Sequence, residues 1–499
     1  MTLTALHPGT VPAPPEGLGG LRQGAPVQIT MPRPQSLDTI RTCGVASSGR
    51  EPMFMRMWPA ALGVITAALL SAQVAAQQAA KLMPTDEPLL APVANPGEPL
   101  PRARPEEVGM SSPRLAEIGK LLEVETAARR IPGAVVAIAR RGKLVYFQAF
   151  GYRDKTAGVP MTVDTIFNIA SMTKPLTAVA ALMLYEDGKL LIGEPLANYL
   201  PTFRDMQVAV LDSTGEMLVD KVPAIRKITI QDLMRHTSGL IYGGRGSTAV
   251  HKMYPASSAS AAMTMKGAQF LALLSSLPLR HQPGTVWDYG FGLDVLGLAL
   301  ESLEERTLGQ VLRERVLNPL GMVDTGFFIP ADKAERYARA LPNDPVTGQP
   351  QSLDLDLTQS LKFECGGGCA ASTAGDYLRF ALMLLNKGKF GDTRILGRKT
   401  AEYMLSNQLG PDVKNLISAA DPTRADSGFG LSVAVRTTPG IVPMMGSVGE
   451  FGWPGGSGTN WWADPQEDLA VVFMAHTPGP IRWHYRQVIN ALVERAIMD

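Results

Sequence analysis

The chain has 499 residues, of which 45% are hydrophobic and 19% charged, a balance typical of globular proteins rather than disordered or fibrous ones. Its 47 basic and 46 acidic residues give a formal net charge of +1 without a basic stripe, which argues against nucleic acid as a partner. The three cysteines, Cys43, Cys365 and Cys369, match neither the number nor the spacing of a zinc framework.

The N-terminal part divides into segments of different composition. Residues 1–52 are rich in Pro, Gly and Thr, and we interpret them as a disordered extension or a misassigned start. Residues 53–76 combine a basic residue, a short apolar run and small residues, the pattern of a secretory signal peptide, with a membrane anchor as the alternative. Cleavage after Ala76 predicts an exported protein, periplasmic or secreted, without a stable membrane span. Residues 77–106 form a Pro-rich linker, and residues 107–499 form the folded domain.

The folded domain begins and ends with strands and is helical in its middle. Ser112 and Pro113 open a first helix, after which residues 134–139 and 144–150 form a predicted hairpin. Later elements are two short strands within an insertion over 200–227, a short helix capped by Thr229 that stops at Gly239, helices over 264–320, 375–387 and 485–497, and strands over 430–436, 459–463 and 469–475. This order predicts an α+β fold in which both termini contribute to one sheet and a helical region is inserted between them.

A serine and a lysine lie three residues apart at the start of a long apolar run. Pro175 suits the first turn of a helix, and Gly188 provides its end. Ser171 should therefore begin a buried helix, with Lys174 one turn on and on the same face. A desolvated lysine can take the proton of a nearby hydroxyl and turn it into a nucleophile. The alternative is a helix-capping serine and a surface lysine, but the helix is apolar on nearly every side.

Two later stretches could complete a catalytic site. Tyr289 stands where a turn meets a helix, and next to an ammonium its phenol could accept the proton of Ser171. Gly455 and Gly456 precede a strand, and a free backbone N–H there could pair with that of Ser171 to hold an oxyanion. The alternatives are an ordinary half-buried tyrosine and a Gly-rich turn. His236 is interpreted as structural rather than catalytic.

In the order Ser-x-x-Lys, Tyr and Trp-x-Gly, the chain resembles the serine β-lactamase and penicillin-binding-protein superfamily. Within it, the chain is most similar to class C β-lactamases and family VIII carboxylesterases, with further similar stretches at residues 233–240, 319–325, 367–377 and 428–431. The resemblance covers roughly residues 107–499. It implies a central antiparallel sheet flanked by helices, with the active site between the sheet and the inserted helical region.

The resemblance also implies the roles of individual residues. Ser171 would be the acylated nucleophile, Lys174 and Tyr289 the general base pair, and the backbone N–H groups of Ser171 and Gly456 the oxyanion hole. No metal or organic cofactor is expected for this chemistry.

The chain departs from the lactamase pattern at two motifs. Tyr289-Gly290-Phe291 lacks the Asn of Y-x-N, and Trp453-Pro454-Gly455 lacks the Lys of K-T-G. Both changes remove polar ligands for a β-lactam, so Trp453, Gly455 and Phe291 are expected to line an apolar cleft for a neutral ester. No G-x-S-x-G occurs in the chain, which leaves an α/β-hydrolase nucleophile elbow unsupported.

The resulting expectation is an exported serine hydrolase that cleaves small-molecule esters, with short acyl chains, through an acyl-enzyme. Three alternatives remain: a β-lactamase or D-amino-acid peptidase acting on an amide, an acyltransferase to an alcohol, and a non-catalytic binder of peptidoglycan-like ligands. Cys365 and Cys369 either pair across the glycines between them or remain free.

Overall fold

The computed structural model of the chain describes residues 99–351 and 355–499. The predicted extension, the signal peptide and most of the linker lie outside the described residues. Within those residues, no helix combines the length and the apolar character that a membrane span requires.

One antiparallel sheet of eight strands organises the described part of the chain, in the order β12-β13-β14-β15-β16-β1-β2-β3. Four short two-stranded pairs accompany it. The strands are β1 Gly133–Arg140, β2 Lys143–Asp154, β3 Val159–Pro160, β4 Phe167–Asn168, β5 Gln207–Leu211, β6 Leu218–Pro223, β7 Val286–Trp287, β8 Ala371–Ser372, β9 Lys389–Phe390, β10 Thr393–Arg394, β11 Lys414–Asn415, β12 Gly428–Phe429, β13 Ala434–Val435, β14 Phe451–Gly452, β15 Asn460–Asp464 and β16 Leu469–Ala475.

Helices cover the sheet and fill the region between its N-terminal and C-terminal strands. The α-helices are α1 Ser112–Ala127, α2 Thr173–Glu186, α3 Ile230–Met234, α4 Ala249–Met253, α5 Ser258–Thr264, α6 Gly267–Ser276, α7 Gly292–Glu304, α8 Leu308–Leu312, α9 Asn318–Leu320, α10 Ala374–Leu385, α11 Arg398–Met404, α12 Ile417–Ala420 and α13 Arg482–Glu494. Short 3₁₀ turns lie at Pro105–Val108, Ala170–Met172, Leu196–Asn198, Pro201–Phe203, Gly243–Arg245, Ala331–Arg336 and Pro422–Arg424, and a π turn lies at Arg313–Leu317.

The centre of the sheet joins the two ends of the domain. β1 forms the predicted hairpin with β2 and pairs with β16 from Ala134 to Arg140. Every residue of β1 is buried, because both faces of the sheet are covered. Successive side chains point to opposite faces, so that Val135 and Ala137 enter the large core, whereas Ala134 and Val136 enter a smaller one beneath α1 and α13. The predicted α+β architecture is confirmed.

Two local predictions need correction. The strand predicted over residues 430–436 is shorter than expected: Ala434–Val435 form β13, whereas residues 430–433 form a tight turn after β12, closed by a hydrogen bond from Gly430 N to Val433 O with Ser432 at a φ of 71°. The helix that Thr229 caps ends at Met234, before Gly239. It ends there because Thr237 N bonds back to Asp232 O and His236 adopts a φ of 56°.

Candidate active site

Ser171 lies in the 3₁₀ turn that leads into α2, and its side chain is partly exposed. The turn is fixed from three directions. Asn168 Oδ1 accepts a hydrogen bond from Ala170 N at 2.9 Å, Thr173 Oγ1 donates to Ala170 O at 2.7 Å, and Tyr377 OH donates to Met172 O at 2.8 Å. The serine thus begins a buried helix, as its spacing predicts.

Lys174 is 0% exposed, which excludes the alternative of a surface lysine. Its ammonium donates to Ser171 Oγ at 3.4 Å, to Tyr242 OH at 3.2 Å and to the carbonyl oxygen of Gly367. The helical spacing brings Lys174 to Ser171, whereas the other two partners come from distant parts of the chain. A lysine in this position can exchange a proton with the serine hydroxyl or stabilise a neighbouring anion.

Tyr289 joins the same cluster through the face of its ring. The Lys174 ammonium lies 4.5 Å from the ring centroid and the Arg245 guanidinium carbon 4.8 Å from it. The tyrosine hydroxyl accepts a hydrogen bond from Trp453 Nε1 at 3.0 Å. Two cations and one N–H donor therefore surround this phenol.

His236 supports Tyr289 from behind. Its ring is buried, with its centroid 4.6 Å from that of Tyr289 and 5.6 Å from that of Phe429. Burial lowers the pKa of His236 well below its usual value, and the nearby Lys174 and Arg245 charges lower it further. The imidazole is therefore neutral and acts as packing, in agreement with the structural interpretation.

The Gly-rich turn after β14 lies beside Ser171. Ser457 Oγ donates to Asn168 O, which ties the turn to the strand that precedes the serine. Gly455 is enclosed: its N–H donates to Thr459 O at 2.9 Å and its carbonyl accepts from Arg486 Nη2 at 2.7 Å. Gly456 is exposed, and its N–H has no acceptor within the described ranges. Gly456 can thus offer an N–H to a ligand, whereas Gly455 serves the turn itself.

Phe291 occupies a different place from the one predicted. Its ring is 0% exposed and packs against Tyr242 and Phe270, with ring centroids 4.5 Å and 5.2 Å away. The side chain points into the core at the start of α7 and lies behind Tyr242. We therefore assign Phe291 to the support of Tyr242, while Trp453, also buried, touches the site through its bond to Tyr289.

The sequence analysis missed a buried polar network next to Lys174. Asp294 on α7 accepts hydrogen bonds from Ser258 Oγ at 2.8 Å, Tyr242 OH at 3.3 Å and Gly367 N at 2.9 Å. Burial raises the pKa of Asp294, and the Lys174 charge and these hydrogen bonds oppose that rise. The available signal was a single acid in the otherwise apolar start of α7, a residue type that is rarely buried without a partner.

Cys365 and Cys369 form a disulfide with their Cα atoms 5.3 Å apart, which decides the question that the sequence left open. The short loop that they close packs on the first turns of α2. Its Gly366 carbonyl accepts from Thr177 Oγ1 at 2.9 Å, and its Gly367 carbonyl accepts from Lys174. The loop therefore forms one wall of the lysine pocket.

A Ser-x-x-Lys helix start beside an antiparallel sheet, with an inserted helical region, defines the class of serine hydrolases that have the β-lactamase fold. The chain belongs to the beta-lactamase family, whose model, described as Beta-lactamase, matches residues 118–491. The resemblance predicted from the three motifs is confirmed.

Three similar proteins show the breadth of this family. Protein Rv1367c of Mycobacterium tuberculosis is 39% identical over 359 residues, which cover 70% of this chain and 86% of that protein. Esterase EstB of Burkholderia gladioli is 29% identical over 75% of this chain and 95% of its own length. The structure of EstCE1, a hydrolase with promiscuous acyltransferase activity, superimposes with a TM-score of 0.61 at 26% identity and covers 76% of this chain and 98% of EstCE1.

Proposed function

We propose that this protein hydrolyses carboxylic esters of small molecules through an acyl-enzyme on Ser171. The observation that carries the proposal is the wholly buried Lys174 ammonium, 3.4 Å from Ser171 Oγ. A buried cation is costly to maintain, so its position next to a partly exposed hydroxyl favours a chemical role over a structural one. The similarity to EstB, an esterase, and to EstCE1, a hydrolase, supports an enzyme that acts on esters.

The proposed reaction has two halves. Tyr289, beside the Lys174 ammonium, takes the proton of Ser171 as Oγ attacks the ester carbonyl. The oxyanion is held by the backbone N–H groups of Ser171 and Gly456. The tetrahedral intermediate then expels the alcohol, which leaves with the proton from Tyr289. Water attacks the acyl-enzyme by the same route and releases the carboxylic acid and free Ser171.

Tyr289 fits the role of base better than Tyr242, although it is the Tyr242 hydroxyl that accepts a hydrogen bond from Lys174. Burial raises the pKa of Tyr242 well above 10, and the nearby Asp294 carboxylate and Tyr289 raise it further. The Tyr289 oxygen instead accepts the indole N–H of Trp453, and the Arg245 guanidinium lies against its ring. Two cations thus lie against the Tyr289 ring, whereas a carboxylate lies against the Tyr242 hydroxyl.

The substrate that we propose is a neutral ester with a short acyl chain. Trp453 stands where the lactamase motif carries a lysine, and the enclosed Phe291 stands in place of the amide. A site without these polar ligands binds the carboxylate and amide of a β-lactam poorly. Transfer of the acyl group to an alcohol is a second candidate, favoured by the promiscuous acyltransferase activity of EstCE1, and differs only in the acceptor that attacks the acyl-enzyme.

A direct comparison of substrates tests this preference. We expect kcat/KM for p-nitrophenyl butyrate to exceed that for a chromogenic cephalosporin by roughly 100-fold or more, since each polar group left without a partner costs about a factor of ten. Adding a primary alcohol and measuring the ester formed separates transfer from hydrolysis. Faster turnover of the cephalosporin would replace the esterase assignment with that of a β-lactamase.

We also propose that the protein is exported and is periplasmic or secreted. The pattern of residues 53–76 and the Cys365–Cys369 disulfide support this proposal, since structural disulfides persist in oxidising compartments. N-terminal sequencing of the C-terminally tagged protein from the extracytoplasmic fraction should find Gln77 first. The change Ala76→Arg should leave an uncleaved precursor, because signal cleavage needs a small residue there. A mature protein that retains Met1 would contradict export by this signal.

A further inference from the structure

We infer that Asp294 is the charge partner of Lys174 and a positioning residue of the proposed reaction, acting through Tyr242 and the peptide of Gly367. The catalytic part of this inference rests on the proposed function. The charge pairing rests on the geometry of four residues that lie far apart in the sequence.

Each of the two charged groups is enclosed and has only neutral groups in direct contact. Lys174 donates to Ser171, Tyr242 and Gly367, and it is 0% exposed. Asp294 is also 0% exposed. An isolated buried ion is strongly disfavoured, so each of these groups stabilises the charged form of the other.

Two bridges connect the carboxylate to the ammonium. Tyr242 OH accepts from Lys174 Nζ at 3.2 Å, and its one proton faces both Ser258 Oγ at 2.8 Å and Asp294 Oδ2 at 3.3 Å, with Ser258 Oγ itself donating to Asp294 Oδ2. The Gly367 carbonyl accepts from Lys174, and the Gly367 N–H donates to Asp294 Oδ1 at 2.9 Å. In both bridges, the donor end faces the anion and the acceptor end faces the cation. This polarity is the one that an ion pair requires, and such chains of hydrogen bonds strengthen one another.

The residues around Gly367 and Asp294 allow the Gly367 peptide to lie close to the carboxylate. A Cβ atom on Gly367 would lie 2.2 Å from Asp294 Oδ2, so only glycine allows this contact. The disulfide between Cys365 and Cys369 closes the loop around that glycine. Ser258 Oγ supplies a further hydrogen bond to the same carboxylate oxygen, which holds the side chain in place.

The other titratable groups that lie around Lys174 do not supply the negative charge that Asp294 provides. Within the described residues these groups are Tyr242, Tyr289, His236 and Arg245. Burial and the charges of Lys174 and Arg245 keep His236 neutral, and Arg245 adds positive charge. Asp294 therefore supplies the negative charge that balances the Lys174 ammonium beside Tyr289 and Ser171.

A double-mutant cycle on thermal stability tests the pairing without reference to activity. Lys174→Met, Asp294→Asn and the double variant are compared with wild type at pH 8. We expect the double variant to lose less melting temperature than the sum of the two single losses, because each single change leaves one charge without its partner. Additive losses would overturn the pairing.

Should a single variant fail to fold, a cycle of Tyr242→Phe with Asp294→Glu should also be non-additive, and additivity there counts against the pairing.

The split between kcat and KM tests the role in the reaction. In Asp294→Asn, kcat for a p-nitrophenyl ester should fall about tenfold and KM should change less than kcat, because the carboxylate acts through Tyr242 and Lys174 and does not touch the substrate. The matched control is Asp376→Asn, another buried acid, which is bonded to Thr325 and Asp324 N. The control should leave kcat in place, and an unchanged kcat in Asp294→Asn would overturn the positioning role.

The two tests also separate this inference from the proposed function. If a fluorophosphonate probe fails to label Ser171 in the wild-type protein, the proposed function is wrong. The stability cycle still decides whether Asp294 and Lys174 form a pair in that case.

Discussion

Replacing Ser171 by alanine should lower kcat for a short-chain p-nitrophenyl ester by roughly 10³-fold or more, since loss of the nucleophile leaves only binding and oxyanion stabilisation. The melting temperature should change little, because Ser171 is partly exposed and its turn is held by Asn168, Thr173 and Tyr377 rather than by its own hydroxyl. Labelling by a fluorophosphonate, measured by intact mass, should disappear in parallel with the activity.

A matched serine serves as the control for this prediction. Ser247 lies in the loop that follows Arg245, and it is exposed. Ser247→Ala should retain both the label and the hydrolysis. Ester turnover that survives in Ser171→Ala would show that another residue is the nucleophile, and loss of the label without loss of turnover would point the same way.

Replacing Tyr289 and Tyr242 by phenylalanine, one at a time, should lower kcat by very different factors. Tyr289→Phe should lower kcat by about 10²- to 10⁴-fold, the range expected when a positioned general base is removed. Tyr242→Phe keeps the proposed base and the Gly367 bridge to Asp294, so its loss should be about tenfold.

Comparing Tyr289→Phe with Tyr242→Phe also decides which of the two tyrosines is the general base. Both substitutions remove one hydroxyl from a buried ring, but Tyr242→Phe should lose more melting temperature, because its hydroxyl bonds to Lys174 and Asp294 whereas that of Tyr289 bonds to Trp453. A larger loss of kcat in Tyr242→Phe than in Tyr289→Phe would transfer the role of base to Tyr242, whose hydroxyl lies 3.2 Å from Lys174 Nζ. Burst kinetics with an excess of ester distinguish slow acylation from slow deacylation in either variant.

Patterns among neighbouring residues were sufficient to predict much of the fold and the Ser171–Lys174 half of the candidate site. The spacing of Ser171 and Lys174 places both on one face of a helix, because side chains three positions apart are neighbours there. The hairpin of β1 and β2 follows in the same way from two apolar runs and a short turn. Such features depend on neighbouring residues, and the structure reproduces them.

The two binding residues that were predicted wrongly lie at loop junctions, where the directions of the backbone and the side chain do not follow from the local pattern. Phe291 and Gly455 belong to motifs beside the cleft, but Phe291 turns into the core and Gly455 is closed by Thr459 and Arg486. At a loop junction, the backbone direction is set by packing from distant segments, and no periodicity records it.

The sequence alone therefore determined the family, the α+β architecture and the helix that carries Ser171 and Lys174, because these depend on spacing within one element or on motifs in a fixed order. Only the tertiary structure decided what surrounds the lysine. Tyr242, Asp294 and Gly367 lie 68, 120 and 193 positions from Lys174 along the chain. They meet because α7 and the disulfide loop pack against α2. The buried Lys174 and Asp294 charges are stable only when these residues bridge them, and the bridges form only once that packing excludes water.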